Sequence, residues 1–75
     1  MLGTYMKAKR ATTGINASEV AKVIGVSRQS VSQWEIGLTI PNPNHLADWC
    51  HALQLSDHEV VAAYELRRTI TGGAA

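Results

Sequence analysis

The chain has 75 residues, 45% of them apolar and 17% charged, with no Phe and only two Trp and two Tyr. That leaves room for one globular domain with a mostly aliphatic core, and it excludes a multi-domain or a disordered chain. A single cysteine, Cys50, excludes an internal disulfide, no apolar run nears the roughly 20 residues that span a bilayer, and no charged-then-apolar leader opens the sequence, so a soluble cytoplasmic protein is expected.

The net charge of +1 announces no polyanionic partner, but its distribution is uneven. Residues 1–37 carry Lys7, Lys9, Arg10, Lys22 and Arg28 against Glu19 and Glu35, whereas residues 38–75 carry Arg67 and Arg68 against Asp48, Asp57, Glu59 and Glu65. The N-terminal half is therefore the side expected to face a polyanion.

Start and stop signals divide the sequence into five short helices. Leu2, Met6 and Thr13 share one side of a 3.6-residue repeat, and Gly14 follows as a C-terminal glycine, which makes the first helix. Asn16 with Glu19 forms a capping-box pattern ahead of Val20, Ala21 and Ile24, and Gly25 closes this second helix. Ser27 caps a third helix over Arg28–Ile36, with Val31 and Trp34 at buried spacing and Gly37 as its stop. The run TIPNPN, residues 39–44, reads as a loop. Asn44 then caps a fourth helix bearing Leu46, Trp49, Cys50 and Leu53, and Ser56 with Glu59 opens a fifth with Val60, Val61 and Tyr64 on its buried side. Nothing shows period-two alternation, so the expected fold class is all-α. The expected organisation is one domain over residues 1–70 with a helix-turn-helix motif at 17–36, followed by a flexible tail at 71–75.

The segment ASEVAKVIGVSRQSVSQWEI, residues 17–36, carries the functional signal. Two helices crossing steeply through a short turn need a small residue at the crossing, which Ala21 supplies, and a residue that tolerates positive φ, which Gly25 supplies. Val20, Ile24, Val26, Val31 and Trp34 then point inward together. At about 100° per residue, Ser32, Ile36, Gln29 and Gln33 fall within about 140° of Arg28, and Val31 and Trp34 occupy the opposite arc. Burying one side of the third helix turns an almost wholly polar side outward. Arginine and glutamine suit bidentate pairing with guanine and adenine edges in a major groove. Glu35, at the edge of the buried arc beside Val31, lies within reach of Arg10 on the first helix.

At these residues the sequence resembles the helix-turn-helix family of phage repressors and Cro proteins, the XRE family. The resemblance runs without gaps over residues 1–37, including KAKR, the Asn16 and Glu19 pair, GVSRQSVSQWE and Gly37, and more loosely over the last two helices. It implies a five-helix domain like that of lambda repressor, often dimeric, encoded by a bacterium or phage, whose third helix enters the major groove with two subunits about one DNA turn apart. It implies base reading by Arg28, Gln29 and Gln33, a hydroxyl contact to base or phosphate from Ser30, and an internal Arg10–Glu35 ion pair. Ser27 and Ser32 complete the expected contacts from the third helix. Two departures stand out. Ala17 replaces the phosphate-gripping Gln that often opens the second helix, and Leu38, Thr39, Ile40, Pro41 and Asn42 follow the third helix where the family often has Lys and Arg. Phosphate contacts are therefore expected from Asn16 and the amide at Ala17, from Asn42 and Asn44, and from the basic side chains of the first helix, Lys7, Lys9 and Arg10.

The expected function is sequence-specific binding of a double-stranded, near-palindromic operator by a transcriptional regulator acting as a repressor. A homodimer is expected, with the fifth helix and Arg67 and Arg68 as the contact surface. The alternative on the same fold is a protein-interaction module of antitoxin or adaptor type, which the thin basic complement favours. No enzyme, cofactor or metal is expected. His45, His51, His58 and Cys50 match no closed zinc spacing, and adjacent Cys50 and His51 project about 100° apart on a helix and cannot act as a pair. Cys50, Trp34 and Trp49 are expected in the core.

Overall fold

A computed structural model describes residues 1–73, with side chains through Thr69. Five helices follow in order: α1 (Leu2–Thr13), α2 (Ala17–Ile24), α3 (Arg28–Ile36), α4 (Pro43–Ala52) and α5 (Asp57–Gly73), with no strand among the described residues. The all-α, five-helix expectation holds. The backbone of α5 is helical for three residues of the 71–75 segment read as a tail, and residues 74 and 75 lie outside the described residues.

Local chemistry sets most of the helix ends. The side chains of Asn16 and Ser27 accept the amides of Glu19 and Ser30 at 2.9 and 3.1 Å, each satisfying a first-turn donor that no helical carbonyl reaches. At α5 the capping box is complete: the Glu59 carboxylate accepts the Ser56 amide at 2.8 Å while the Ser56 hydroxyl accepts the Glu59 amide at 3.4 Å. The start of α4 differs from the sequence reading. Asn42, not Asn44, is the cap, its side chain accepting the His45 amide at 2.7 Å, and Pro43 and Asn44 belong to the helix. Proline drives the preceding residue to extended backbone, the conformation a cap requires, and its own missing N–H is no loss at the first helical position.

The core gathers Leu2, Met6, Val20, Ala21, Val31, Trp34, Leu46, Trp49, Cys50, Leu53 and Ala63. Trp34 and Trp49 pack with ring centroids 5.2 Å apart, and His45 lies against the outer side of Trp34 at 5.6 Å. Thr13, expected on the buried side of α1, is exposed at the helix end, where its hydroxyl donates to the Arg10 carbonyl at 2.8 Å. Gly3 holds that side instead. A Cβ there would drive into the carbonyl oxygens of Trp34 and Glu35, so the absent side chain sets how closely α1 approaches α3.

The α2–α3 turn follows from its residues. Ala21 is buried where the two helices pack, its carbonyl accepts both the Gly25 and Val26 amides at 2.8 and 3.0 Å, and Gly25 reverses the chain at φ 87°. Positive φ is open to glycine at no steric cost.

Candidate nucleic-acid interface

Beyond that turn, α3 is held on one side and open on the other. Val31, Trp34 and Glu35 are buried, Arg28, Gln29 and Ile36 are exposed, and Ser30, Ser32 and Gln33 are half-buried, Ser32 between Arg28 and Gln29 on the open face. This matches the helical arc drawn from the sequence. Val20 on α2 is fully buried with them, and Ile24 and Val26 are half-buried against the same core.

The ends of the open face are committed in part. The hydroxyls of Ser27 and Ser30 lie 3.0 Å apart, and the Ser27 oxygen also accepts the Ser30 amide. Their remaining capacity faces solvent at the α3 N-terminus beside Arg28. Asn16 is exposed at the α2 N-terminus and Ala17 is half-buried. Asn42 is exposed, with its carbonyl oxygen spent on the α4 cap. Its side-chain amide retains donors for an anion.

Glu35 anchors the interface from below. Arg10 donates from Nε to Glu35 Oε2 at 2.6 Å and from Nη2 to Oε1 at 3.2 Å, and a third donor, Nη1, reaches the Ile15 carbonyl at 3.2 Å. The Glu35 side chain is 6% exposed and that of Arg10 20%, and the bond to Glu35 raises the Arg10 pKa above its ordinary value. One guanidinium thus ties α1, the α1–α2 turn and α3 together in the planar fork that suits a carboxylate.

The cations of α1 do not act as a set. Lys9 turns toward α5, where Nζ pairs with Glu59 Oε2 at 2.5 Å and sits 5.2 Å from the Tyr5 ring centroid. The sequence reading gave Lys9 and Arg10 a share of the phosphate contacts; Arg10 is engaged with Glu35, the internal pair also expected from the sequence, and Lys9 is paired with Glu59, a partner fifty residues away that no local pattern reveals. Lys7, Lys22 and Arg28 have no acidic partner among the described residues. Glu59, held by Lys9 and the Ser56 cap, has its carboxyl pushed down to about 2.

Helix α5 uses much of its expected contact surface internally. Val60 and Tyr64 pack against the core, the Tyr64 hydroxyl donates to the Pro43 carbonyl at 3.0 Å, and Arg67 Nε donates to the Pro41 carbonyl at 2.8 Å. Val61, expected on the buried side of α5, is instead 60% exposed. Cys50 is in the core, where burial pushes its thiol up to about 11, and its neighbour His51 is exposed. No helix of the described residues is long and apolar enough to cross a membrane.

Known proteins share this arrangement. A helix-turn-helix family model matches residues 6–60. The repressor protein C2 of Salmonella phage P22 is 36% identical over 56 residues, covering 75% of this chain, and the chain spans about a quarter, 26%, of that relative's length. The solution structure of the DNA-binding domain of the P22 C2 repressor superposes with a TM-score of 0.74 at 33% identity, covering 81% of this chain and 80% of that one. The crystal structure of the P22 c2 repressor in complex with a synthetic operator gives 0.73 at 32% identity, covering 84% and 96%. With its motif, its five helices and these relatives in agreement, the chain belongs to the helix-turn-helix family, among the domains of phage-repressor (XRE) type.

Proposed function

We propose that this chain is the operator-reading domain of a transcriptional repressor, which enters the major groove of a specific duplex with α3. The observation that carries the reading is the two-sidedness of α3. Val31, Trp34 and Glu35 fix one side to the core, and Arg28 and Gln29 stand exposed on the other, with half-buried Ser32 between them and Gln33 at the edge. In this reading Arg28 pairs with a guanine edge, and Gln29 and Gln33 pair with adenine edges. Ser27, Ser30 and Ser32 supply hydroxyls to bases or phosphates. Asn16, the first-turn amide of Ala17, and Asn42 take phosphates at the flanks, joined by Lys7. A relative of the same fold has been seen on a synthetic operator, which supports duplex DNA as the ligand.

One helix of this length reads only a few base pairs, so a homodimer on a near-palindromic operator follows, with half-sites about one DNA turn apart. A subunit contact through α5, the surface expected from sequence, would rest on Val61 beside Arg67 and Arg68. The family is one of DNA-binding repressors and not of enzymes, and the reading needs neither cofactor nor metal. It places the protein in the cytoplasm of a bacterium, encoded there or by a phage. Selecting bound duplexes from a random pool tests it. The expected result is enrichment of an inverted repeat whose binding weakens with added salt. A pool that stays unenriched, with no salt-dependent shift of any duplex, would leave the fold serving as a protein-interaction module.

A further inference from the structure

An isoleucine stands where the open face of α3 is otherwise polar. Among the described residues of α3, Ile36 alone is both apolar and exposed, at 73%. With Arg28 as zero and about 100° per residue, Ser32 falls at about 40°, Ile36 at about 80°, Gln29 at about 100° and Gln33 at about 140°. Ile36 is therefore near the middle of the reading arc, one turn past Ser32 and in line with Gln29 two turns back. It borders the cleft beside Met1 and Ile40, but Gly37 turns the chain away from the helix at φ 81°. Ile36 thus belongs to the face of α3, and the apolar residues after it do not.

We propose that Ile36 is a specificity residue for thymine, packing on the 5-methyl group of one base at the end of the half-site opposite the base read by Arg28. Base edges in the major groove present nitrogen and oxygen donors and acceptors, and thymine adds the one apolar group there, its C5 methyl. Isoleucine has neither donor nor acceptor. Against a guanine, adenine or cytosine edge it would strip water from a polar group and return no hydrogen bond, whereas against thymine it buries methyl on methyl. One side chain thus attracts the right base and excludes the wrong ones. A phosphate does not suit it, because it has nothing to donate.

Reach supports the same assignment. A rise of about 1.5 Å per residue puts Ile36 about 12 Å along the axis from Arg28, comparable with the roughly 12 Å width of the groove. A helix whose first turn reads base edges therefore keeps its last turn inside the same groove. In that turn Trp34 and Glu35 are buried and Gln33 is half-buried, so Ile36 is the side chain that protrudes. The inference rests on the operator reading and adds to it a base that no hydrogen-bonding residue accounts for.

The test takes the operator selected from a random pool and replaces each thymine in turn with deoxyuridine, which removes the methyl and leaves every hydrogen-bonding group in place. The parent chain, Ile36→Ala and Arg28→Ala are titrated on each duplex, and thermal melts check that the variants fold. At one thymine the parent should lose about fourfold in affinity per half-site, the worth of one buried methyl. Ile36→Ala, whose short side chain leaves that methyl uncovered, should bind the unmodified operator more weakly and lose nothing further from uracil at that position. Arg28→Ala, weakened at the other end of the helix, should keep the fourfold loss there. Selection repeated with Ile36→Ala should return the same site with the thymine preference gone at that position alone. Uracil penalties that are the same in the parent and in Ile36→Ala at every thymine would overturn the inference and leave the operator reading standing. A pool that stays unenriched with the parent chain would overturn both.

Discussion

Removing the Glu35 carboxylate should unfasten α1 from α3. In Glu35→Ala the Arg10 guanidinium loses its bonds at 2.6 and 3.2 Å and keeps only the Ile15 carbonyl at 3.2 Å. Breaking a fully buried pair costs about 3–5 kcal/mol, and an exposed one is worth less than about 1. Glu35 is almost fully buried, but Arg10 is one-fifth exposed and its head can swing to water once released, so the cost should fall between, at about 2–3 kcal/mol. Arg10→Ala should cost more than Glu35→Ala, because it strands the buried carboxylate, whose backbone is fixed in the last turn of α3. For a domain of this size a loss of about 2–3 kcal/mol lowers Tm by roughly 10–20 °C. Urea melts followed by tryptophan fluorescence suit the measurement, since Trp34 adjoins Glu35 and touches Trp49. A double-mutant cycle of Arg10→Ala and Glu35→Ala isolates the coupling. A Glu35→Ala variant within about 0.5 kcal/mol of the parent would refute the reasoning and show the pair to be solvated.

Two further changes probe the frame. Gly3→Ala should destabilise by about 2 kcal/mol or more in the same urea melts, because the added methyl meets the backbone carbonyls of Trp34 and Glu35 and no flexible side chain can yield. Glu59 is held down to about 2 by Lys9 and the Ser56 cap, so its ionised form stabilises the fold above the ordinary carboxylate range, and that contribution is lost as pH falls through about 4.5 toward 2. Melts of Glu59→Gln across that window should show a shallower acid slope than the parent; an unchanged slope would mean the Lys9 clasp does not act in solution.

The parts of this fold that were legible in the sequence are those decided within a few residues. Asn16, Ser27 and the Ser56 and Glu59 pair each cap a helix three residues away, and Gly25 marks the turn that no other residue makes cheaply. The open face of α3 was legible for the same reason, since the burial of Val31 and Trp34 dictates which side chains turn outward. Asn42 and Pro43 were misread because a proline in an asparagine-rich run signals a loop and a helix start alike. What depends on the packing of distant elements left no local mark. Gly3 is small because α3 passes against it, Lys9 is diverted to a carboxylate fifty positions on, Tyr64 turns inward to the Pro43 carbonyl at the start of α4, and Arg67 to the Pro41 carbonyl in the α3–α4 connection. These contacts decide which cations and apolar groups remain for a partner.

The central claim is that α3 reads sequence while the flanks only anchor. It is tested most directly by titrating the selected operator and a random duplex with the parent chain and with Arg28→Ala, Gln29→Ala, Gln33→Ala and Lys7→Ala. The three α3 variants should lose about 1–3 kcal/mol on the operator and little on random DNA, the exposed Arg28 and Gln29 more than half-buried Gln33. Lys7→Ala should weaken both duplexes alike and make the salt dependence shallower. Equal losses on operator and random duplex from the α3 substitutions would contradict the account, because the element presented by the fold would then not be the one that reads the site.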